Sequence, residues 1–240
     1  MPLFTNRHVV VTGGAGALGS AVVARLLEGG ATCHVPCKEE QELKRFAFAK
    51  HERVRVGMDV ELTDEPLVEQ FYGETAAAAR AAGGALWASI HIAGGFSYGA
   101  VETVKKDDFI RQMQTNALTC FLCCREAVKL MSSTGGRIVN VAARAAIEPR
   151  SGANMVPYTA SKAAVGAITQ ALAEEVVERG ILVNAVSPSI MDTPANRKSM
   201  AQADYSKWAR VEDVASTIEF LASPENTCTR GGLVPVYGRA

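Results

Sequence analysis

Tyr158 and Lys162, separated by Thr159-Ala160-Ser161, are the residues whose types and spacing most clearly permit chemistry. Side chains at i and i+4 share a helix face, so the phenol and the ammonium can approach one another. A free phenol has a pKa near ~10 and is a poor acid–base group at neutral pH. A neighbouring cation favours the phenolate and lowers that value, which suits a proton donor to a carbonyl or imine. An ordinary amphipathic helix start produces the same spacing with no chemistry attached. The surrounding elements decide between the two.

Those elements alternate. Strand-like apolar runs fall at 8–11, 31–35, 54–58, 86–92, 137–141, 182–186 and 233–236. Helical segments are predicted near 18–28, 39–50, 65–82, 106–131, 158–178 and 211–222. Strands without a polar face, alternating with helices, predict a parallel sheet covered on both sides. No Pro/Ser linker or repeat interrupts the pattern, and the Ala-rich tract 76–82 falls on a helix. The expected fold class is α/β: one doubly wound sheet of about seven strands in a single domain over residues 1–240.

Composition narrows the partners. With 48% apolar and 21% charged residues the chain has the make-up of a globular protein able to bury a core. Lys plus Arg equals Asp plus Glu at 25 each, so no net field draws nucleic acid or an anionic membrane. No apolar run reaches spanning length and residues 1–8 lack a leader pattern, so a cytoplasmic location is expected. Among six cysteines, Cys120, Cys123 and Cys124 fall at i, i+3 and i+4 of a predicted helix over 116–130. No histidine accompanies them and the spacing is not that of ligand loops, so buried thiols and no metal are expected. Cys33, Cys37 and Cys228 are read as thiols too.

The first strand runs straight into Thr12-Gly13-Gly14-Ala15-Gly16-Ala17-Leu18-Gly19, and a helix follows. Glycines between a first strand and a first helix permit a tight turn and close approach of backbone to a pyrophosphate at the helix N-terminus. The end of the second strand usually selects the dinucleotide: an acid binds a ribose 2′-hydroxyl, a base a 2′-phosphate. Here Pro36-Cys37-Lys38 follows the strand, so Lys38 is the candidate phosphate partner and NADP(H) is favoured over NAD(H). The alternative places Glu39 or Glu40 at the ribose and Lys38 in solvent. Asp59, followed by Val60, is a candidate acceptor from the adenine amine, or a helix cap near Thr63.

With the glycine-rich turn, Asp59, Asn116 and Tyr158-x-x-x-Lys162 in this order, the chain resembles the short-chain dehydrogenase/reductase family over its full length. The resemblance implies a Rossmann-type fold and an NAD(P)-dependent oxidoreductase. It makes Tyr158 the proton donor or acceptor, Lys162 the ribose-binding residue that lowers the phenol's pKa, and Asn116 the holder of a relay water. It also places Ala93, Gly94 and Gly95 along the cofactor, and Pro188, Ser189, Ile190 and Thr193 at the nicotinamide carboxamide, with Ser189 replacing a usual glycine. His91 stands where the family has asparagine; a packed strand-end histidine and a catalytic base are both open. Alanine, Ala143, stands where the family's substrate-polarising serine ends the fifth strand, next to Arg144. That pattern, with Ile92-Ala93-Gly94-Gly95-Phe96 and the stretches 192–200 and 203–208, resembles the quinonoid dihydropteridine reductase branch. The branch implies a planar conjugated acceptor, with Phe96, Met200 and Trp208 as candidate substrate contacts and 191–208 as a lid. An alcohol/ketone dehydrogenase and a dinucleotide-binding regulatory protein without catalysis are the alternatives. Family members pair through two long helices, here 106–131 and 158–178, so a homodimer or homotetramer is expected.

Overall fold

A computed structural model describes residues 2–131 and 135–239. Seven parallel strands form one sheet in the order β3-β2-β1-β4-β5-β6-β9. They are β1 (His8–Thr12), β2 (Thr32–Pro36), β3 (Val54–Gly57), β4 (Leu86–His91), β5 (Gly136–Val141), β6 (Ile181–Pro188) and β9 (Leu233–Val236). A short parallel pair, β7 (Met191–Asp192) and β8 (Ala209–Arg210), stands apart. Successive strand residues point to opposite faces, so both faces need cover. On β1, Val9 and Val11 pack into the core under α1 (Ala17–Glu28) and α9 (Val211–Ala222). Val10 enters the other core, under α3 (Glu65–Ala81), α5 (Thr119–Met131) and α7 (Val156–Glu175). Each fully buried Ile or Leu, such as Ile90 and Ile138, contributes roughly 1.5–3 kcal/mol by leaving water.

Two helices differ from expectation. The predicted 39–50 helix is only α2 (Glu40–Arg45), because none of its residues is buried and Phe46 leaves the helix to enter the core. The predicted 106–131 helix is α4 (Lys106–Gln112), a π-helical stretch at Met113–Leu118, and α5. Such wide turns are rare and favour functional sites. Thr119 Oγ1 donates to the Thr115 carbonyl at 2.7 Å, satisfying a group within the widened turn.

Strand order reverses between β1 and β4, and the crevice opens at their carboxyl ends, where a doubly wound sheet places ligands. Thr12 and His91, the last residues of these strands, are register partners. Chain direction thus delivers the glycine-rich turn, the β4 end and the β5 end to one edge. Among the described residues the remaining α-helices are α6 (Arg144–Ile147) and α8 (Pro194–Ser199).

Candidate active site

The turn after β1 divides its glycines by task. Gly13 has φ +67°, and a Cβ there would lie 2.8 Å from the Ala93 nitrogen. A Cβ at Gly19 would stand 2.1 Å from the Gly13 carbonyl oxygen, and one at Gly14 would strike Val35. These three are required by the fold. Gly16 is different: its Cβ would meet only the Gly13 oxygen, at 3.3 Å. It caps α1 with an extended backbone, and no acid stands in the helix's first turn. A helix start with free amides and no competing carboxylate suits an anion. Thr12 is buried and its Oγ1 accepts from the Ile92 and Ala93 amides at 3.1 and 3.2 Å, tying the β1 end to the β4 end. Its hydroxyl is therefore engaged within the fold.

Behind this turn a cleft of 210 Å³ is lined by Gly94, Gly95, Phe96, Tyr158, Lys162 and Ser189, among others. Pro157 sits in the first turn of α7, where a missing N–H costs nothing; that turn presents Tyr158 to the cleft and the next presents Lys162. The Tyr158 hydroxyl has no hydrogen-bond partner among the described residues, and Phe96 stands edge-on to its ring at 5.0 Å between centroids. Lys162 is buried, and its Nζ donates to the Val141 carbonyl at the end of β5, at 2.7 Å. Burial pushes the Tyr158 phenol up to about 12 and the Lys162 ammonium down to about 8. The sequence led us to expect a phenol lowered by its lysine. In this protein desolvation prevails, and the ammonium is committed to Val141. The Tyr158 phenol is therefore protonated at neutral pH.

Asn116, in the π-helical turn, is buried and fully engaged. Its Oδ1 accepts from the Gly95 amide at 2.8 Å, and its Nδ2 faces the Gly95 carbonyl, Gln112 Oε1 and Ser161 Oγ within 3.1 Å. Ser161 in turn donates to the Tyr158 carbonyl at 2.8 Å. Asn116 thus ties the Gly94-Gly95 turn to the backbone that carries the tyrosine. A Cβ at Gly94 would lie 2.5 Å from Asn116 Oδ1 and 3.4 Å from Lys162 Nζ, so this approach also requires glycine. Gln112 and Ser161 were missed in the sequence, since their role depends on the π turn.

Other candidates are placed differently. Lys38 is exposed and its Nζ pairs with Glu61 Oε2 at 2.6 Å, which raises the ammonium pKa; its backbone nitrogen donates to Glu42. The expected phosphate partner is already paired. Asp59 is exposed in the left-handed region at φ +61°, and Asp64, not Asp59, caps α3 through the Leu67 amide. Ser189 Oγ donates to the Tyr237 carbonyl at 2.6 Å, and Thr193 caps α8 by accepting from the Asn196 amide. Ile190 is 40% exposed. Ala143 is buried and precedes α6; Arg144 pairs with Glu148 and stacks over Tyr237. Of the three aromatic and methionine contacts expected for substrate, Phe96 lines the cleft, whereas Met200 and Trp208 do not. Trp208 is buried against Tyr205, because the chain turns inward there to form β8; Met191, not singled out in the sequence, lines the cleft instead.

Residues 7–204 match the family described as short chain dehydrogenase, and the chain belongs to that family. It is an NAD(P)-dependent oxidoreductase with a small-molecule substrate. Over 206 residues it is 32% identical to a 3β-hydroxysteroid dehydrogenase of Mediterraneibacter gnavus, covering 84% of this chain and 72% of that one. It is also 32% identical to a 2-dehydro-3-deoxy-L-rhamnonate dehydrogenase (NAD(+)) of Sphingomonas sp., covering 98% and 95% of the two chains. A short-chain dehydrogenase from Mycobacterium smegmatis superposes with a TM-score of 0.81 at 27% identity, over 98% of this chain and 93% of that one. No helix among the described residues is long and apolar enough to cross a membrane.

Proposed function

We propose that this chain is a reductase that passes hydride from a reduced nicotinamide dinucleotide to a planar, conjugated acceptor, as in the dihydropteridine reductase branch it resembles. One observation carries this reading. The β5 end offers Ala143 in place of a hydroxyl, and the cleft has one hydroxyl with no partner among the described residues, that of Tyr158. A simple ketone concentrates charge on one oxygen, and losing a donor there costs ~3 kcal/mol. An acceptor that spreads its charge over a conjugated ring depends less on that donor. Phe96, 63% exposed beside Tyr158, gives a flat ring an aromatic neighbour.

The residues fit the dinucleotide, since glycine at 16 answers no demand of the fold and leaves backbone open to a phosphate. Gly13, Gly14, Gly16, Ala17, Leu18 and Gly19 would hold the pyrophosphate. Asp59 and Val60 would hold the adenine, with Lys38 toward a 2′-phosphate. Ala93, Gly94 and Gly95 would run beside the ribose and ring, and Pro188, Ser189, Ile190 and Thr193 would hold the carboxamide. The reduced nicotinamide, when bound, supplies hydride. Tyr158, kept protonated by burial, gives its proton to the acceptor. Lys162, charged below about pH 8, anchors the β5 end and helps restore the phenol's proton. Asn116 keeps the Gly94-Gly95 turn and Tyr158 in one frame. Residues 191–208 act as the lid, with Met191 facing the cleft and the Asp192–Arg197 pair bracing α8.

A second reading, an alcohol/ketone dehydrogenase, is favoured by the dehydrogenase names of the relatives above. Cofactor oxidation with a quinonoid dihydropterin, an aromatic quinone and a simple ketone separates the two. Faster turnover of the conjugated acceptors is expected; a preferred ketone would install the second reading. Phe109 and Phe121, exposed on α4 and α5, support pairing of copies through these helices, as a homodimer or homotetramer.

A further inference from the structure

Beneath the cleft the fold unites three side chains that the sequence keeps apart: His91 at the end of β4, and Cys120 and Cys124 one turn apart on α5. All three are buried, and their ligand atoms lie within 4.8 Å of one another. The sequence spoke against a metal because no histidine accompanies these cysteines along the chain. The sheet supplies one from 29 residues earlier. Cys124 Sγ lies 3.5 Å from His91 Nδ1 and 3.5 Å from Asn140 Oδ1. We propose that His91, Cys120 and Cys124 form a site for one thiophilic divalent cation of the zinc class, with Asn140 Oδ1 at the fourth corner.

Distances agree with a tetrahedron. Metal–sulfur and metal–nitrogen bonds of about 2.3 and 2.0 Å set ligand–ligand edges of about 3.5–3.8 Å. The Cys124–His91 edge already has this length; the widest separation in the trio must shrink by about 1 Å, and the 2.8 Å between His91 Nδ1 and Asn140 Oδ1 must open by about 0.5 Å, both within reach of side-chain rotation. Charge agrees as well. Two thiolates and a neutral imidazole cancel a divalent cation, so the filled site is neutral and tolerates burial.

The surrounding hydrogen bonds permit the required tautomer. Thr169 Oγ1 donates to the Val165 carbonyl at 2.8 Å and so accepts from Asn140 Nδ2 at 2.9 Å. That fixes Asn140 Oδ1 toward His91, whose Nδ1–H donates to it at 2.8 Å while Nε2 accepts from Ser89 Oγ at 2.8 Å. On metal binding the ring proton moves to Nε2 and is donated to Ser89 Oγ. The Ser89 hydroxyl then donates to Tyr72 OH, 2.8 Å away, an arrangement in which either atom can be the donor. A ligating histidine held by a polar partner on its other nitrogen is the usual outer support of a metal site. The remaining S–H bonds of the two cysteines break, two metal–sulfur bonds, one metal–nitrogen bond and one metal–oxygen bond form, and the thiol protons leave; nothing is oxidised or reduced. Cys120 lies one turn beyond Asn116, which bonds to the Gly94-Gly95 turn at the cleft.

The test is a titration of the full chain, carrying Cys228→Ser to remove the exposed thiol, with cadmium chloride and then zinc chloride. Thiolate-to-cadmium charge-transfer absorbance should saturate at one ion per chain. Cys120→Ser and Cys124→Ser should each weaken binding by about 100-fold, and His91→Gln by about 10-fold. Cys123→Ser, on the same helix but outside the trio, should change it less than about threefold. Circular dichroism confirms that each variant folds. Independently of any variant, binding should release at least one proton per cadmium into weakly buffered solution. Absence of the charge-transfer band at excess cadmium, proton release well below one, or unchanged affinity in the Cys120→Ser, Cys124→Ser double variant would each overturn the proposal.

Discussion

The two ends of the crevice use lysine in opposite ways. Lys162, at the Tyr158 end, is buried, bonded to a strand carbonyl and so close to Gly94 that a Cβ there would lie 3.4 Å from its Nζ. Lys38, toward the adenosine end, is exposed and held by a single surface partner, Glu61. Buried groups are costly to misplace and fully committed, so each one is fixed by several neighbours. Exposed ion pairs are weak and exchange partners readily. In the proposed function the first arrangement sets what chemistry is possible, and the second sets which of two similar ligands is preferred. Substitutions at the two ends should therefore differ in size as well as in kind.

The largest effect is expected at Tyr158. Tyr158→Phe removes the one hydroxyl in the cleft that has no partner among the described residues and should lower kcat about 10³-fold, the usual worth of a positioned general acid. Dinucleotide affinity, read by quenching of protein fluorescence, should stay within about threefold, since the ring and its contact with Phe96 remain. Undiminished turnover would remove Tyr158 as the proton donor.

Lys162 separates chemistry from stability. Its ammonium has a pKa of about 8 in the folded chain, below the ordinary lysine value of 10.5. Between those values the unfolded chain binds more protons, so stability contributed by this group rises with pH across the window; below about 8 the full cost of burying charge applies. Lys162→Met should abolish activity yet stabilise the fold at pH 7 by about 1–2 kcal/mol, after subtracting the lost bond to the Val141 carbonyl. Urea unfolding at pH 7 and pH 10 checks this, because the gain should shrink at the higher pH. A gain equal at both would mean that the buried charge is not its source.

Legibility in the sequence follows the same division. Strand periodicity and the glycine-rich turn revealed the parallel sheet and its ligand edge, because both are local patterns. The spacing of Tyr158 and Lys162 gave their shared face, but not the desolvation that reversed the expected direction of the phenol's pKa. That depends on what covers the face. The π turn at Asn116 has no local signature here, and its consequence, the bond chain from Gly95 to Ser161, was invisible for the same reason. Trp208 was read as facing a ligand because aromatic type does not report direction, and the inward turn at β8 buries it. The Lys38–Glu61 pair joins residues across a loop and the β3 end, a contact that spacing cannot show.

Two glycines of the turn sharpen the contrast between what the fold requires and what a ligand requires. Gly19→Ala places a methyl group against the Gly13 carbonyl and should cost about 2–3 kcal/mol of unfolding free energy. Gly16→Ala meets only mild crowding and should cost less than about 1 kcal/mol. It should still weaken dinucleotide affinity about 10-fold by standing in the way of a phosphate. Denaturation together with cofactor titration reads both variants. Equal stability losses with unchanged affinity at Gly16 would deny that its backbone is the pyrophosphate seat.

The smallest effect is expected at the adenosine end, where two charges compete for one lysine. Glu61→Gln removes the carboxylate that holds Lys38 and should shift the NADPH:NADH affinity ratio toward NADPH by about 3- to 10-fold, more at low salt than at high. Lys38→Ala should shift the ratio the other way by a similar factor, and Lys38→Ala with Glu61→Gln should equal Lys38→Ala alone, because Glu61 acts only through the lysine. If Glu61→Gln raises NADPH affinity even without Lys38, the carboxylate repels the phosphate directly and the lysine is a bystander. If neither substitution moves the ratio, selection rests elsewhere on this edge, and Glu42, whose carboxylate accepts the Lys38 amide, becomes the residue to change next.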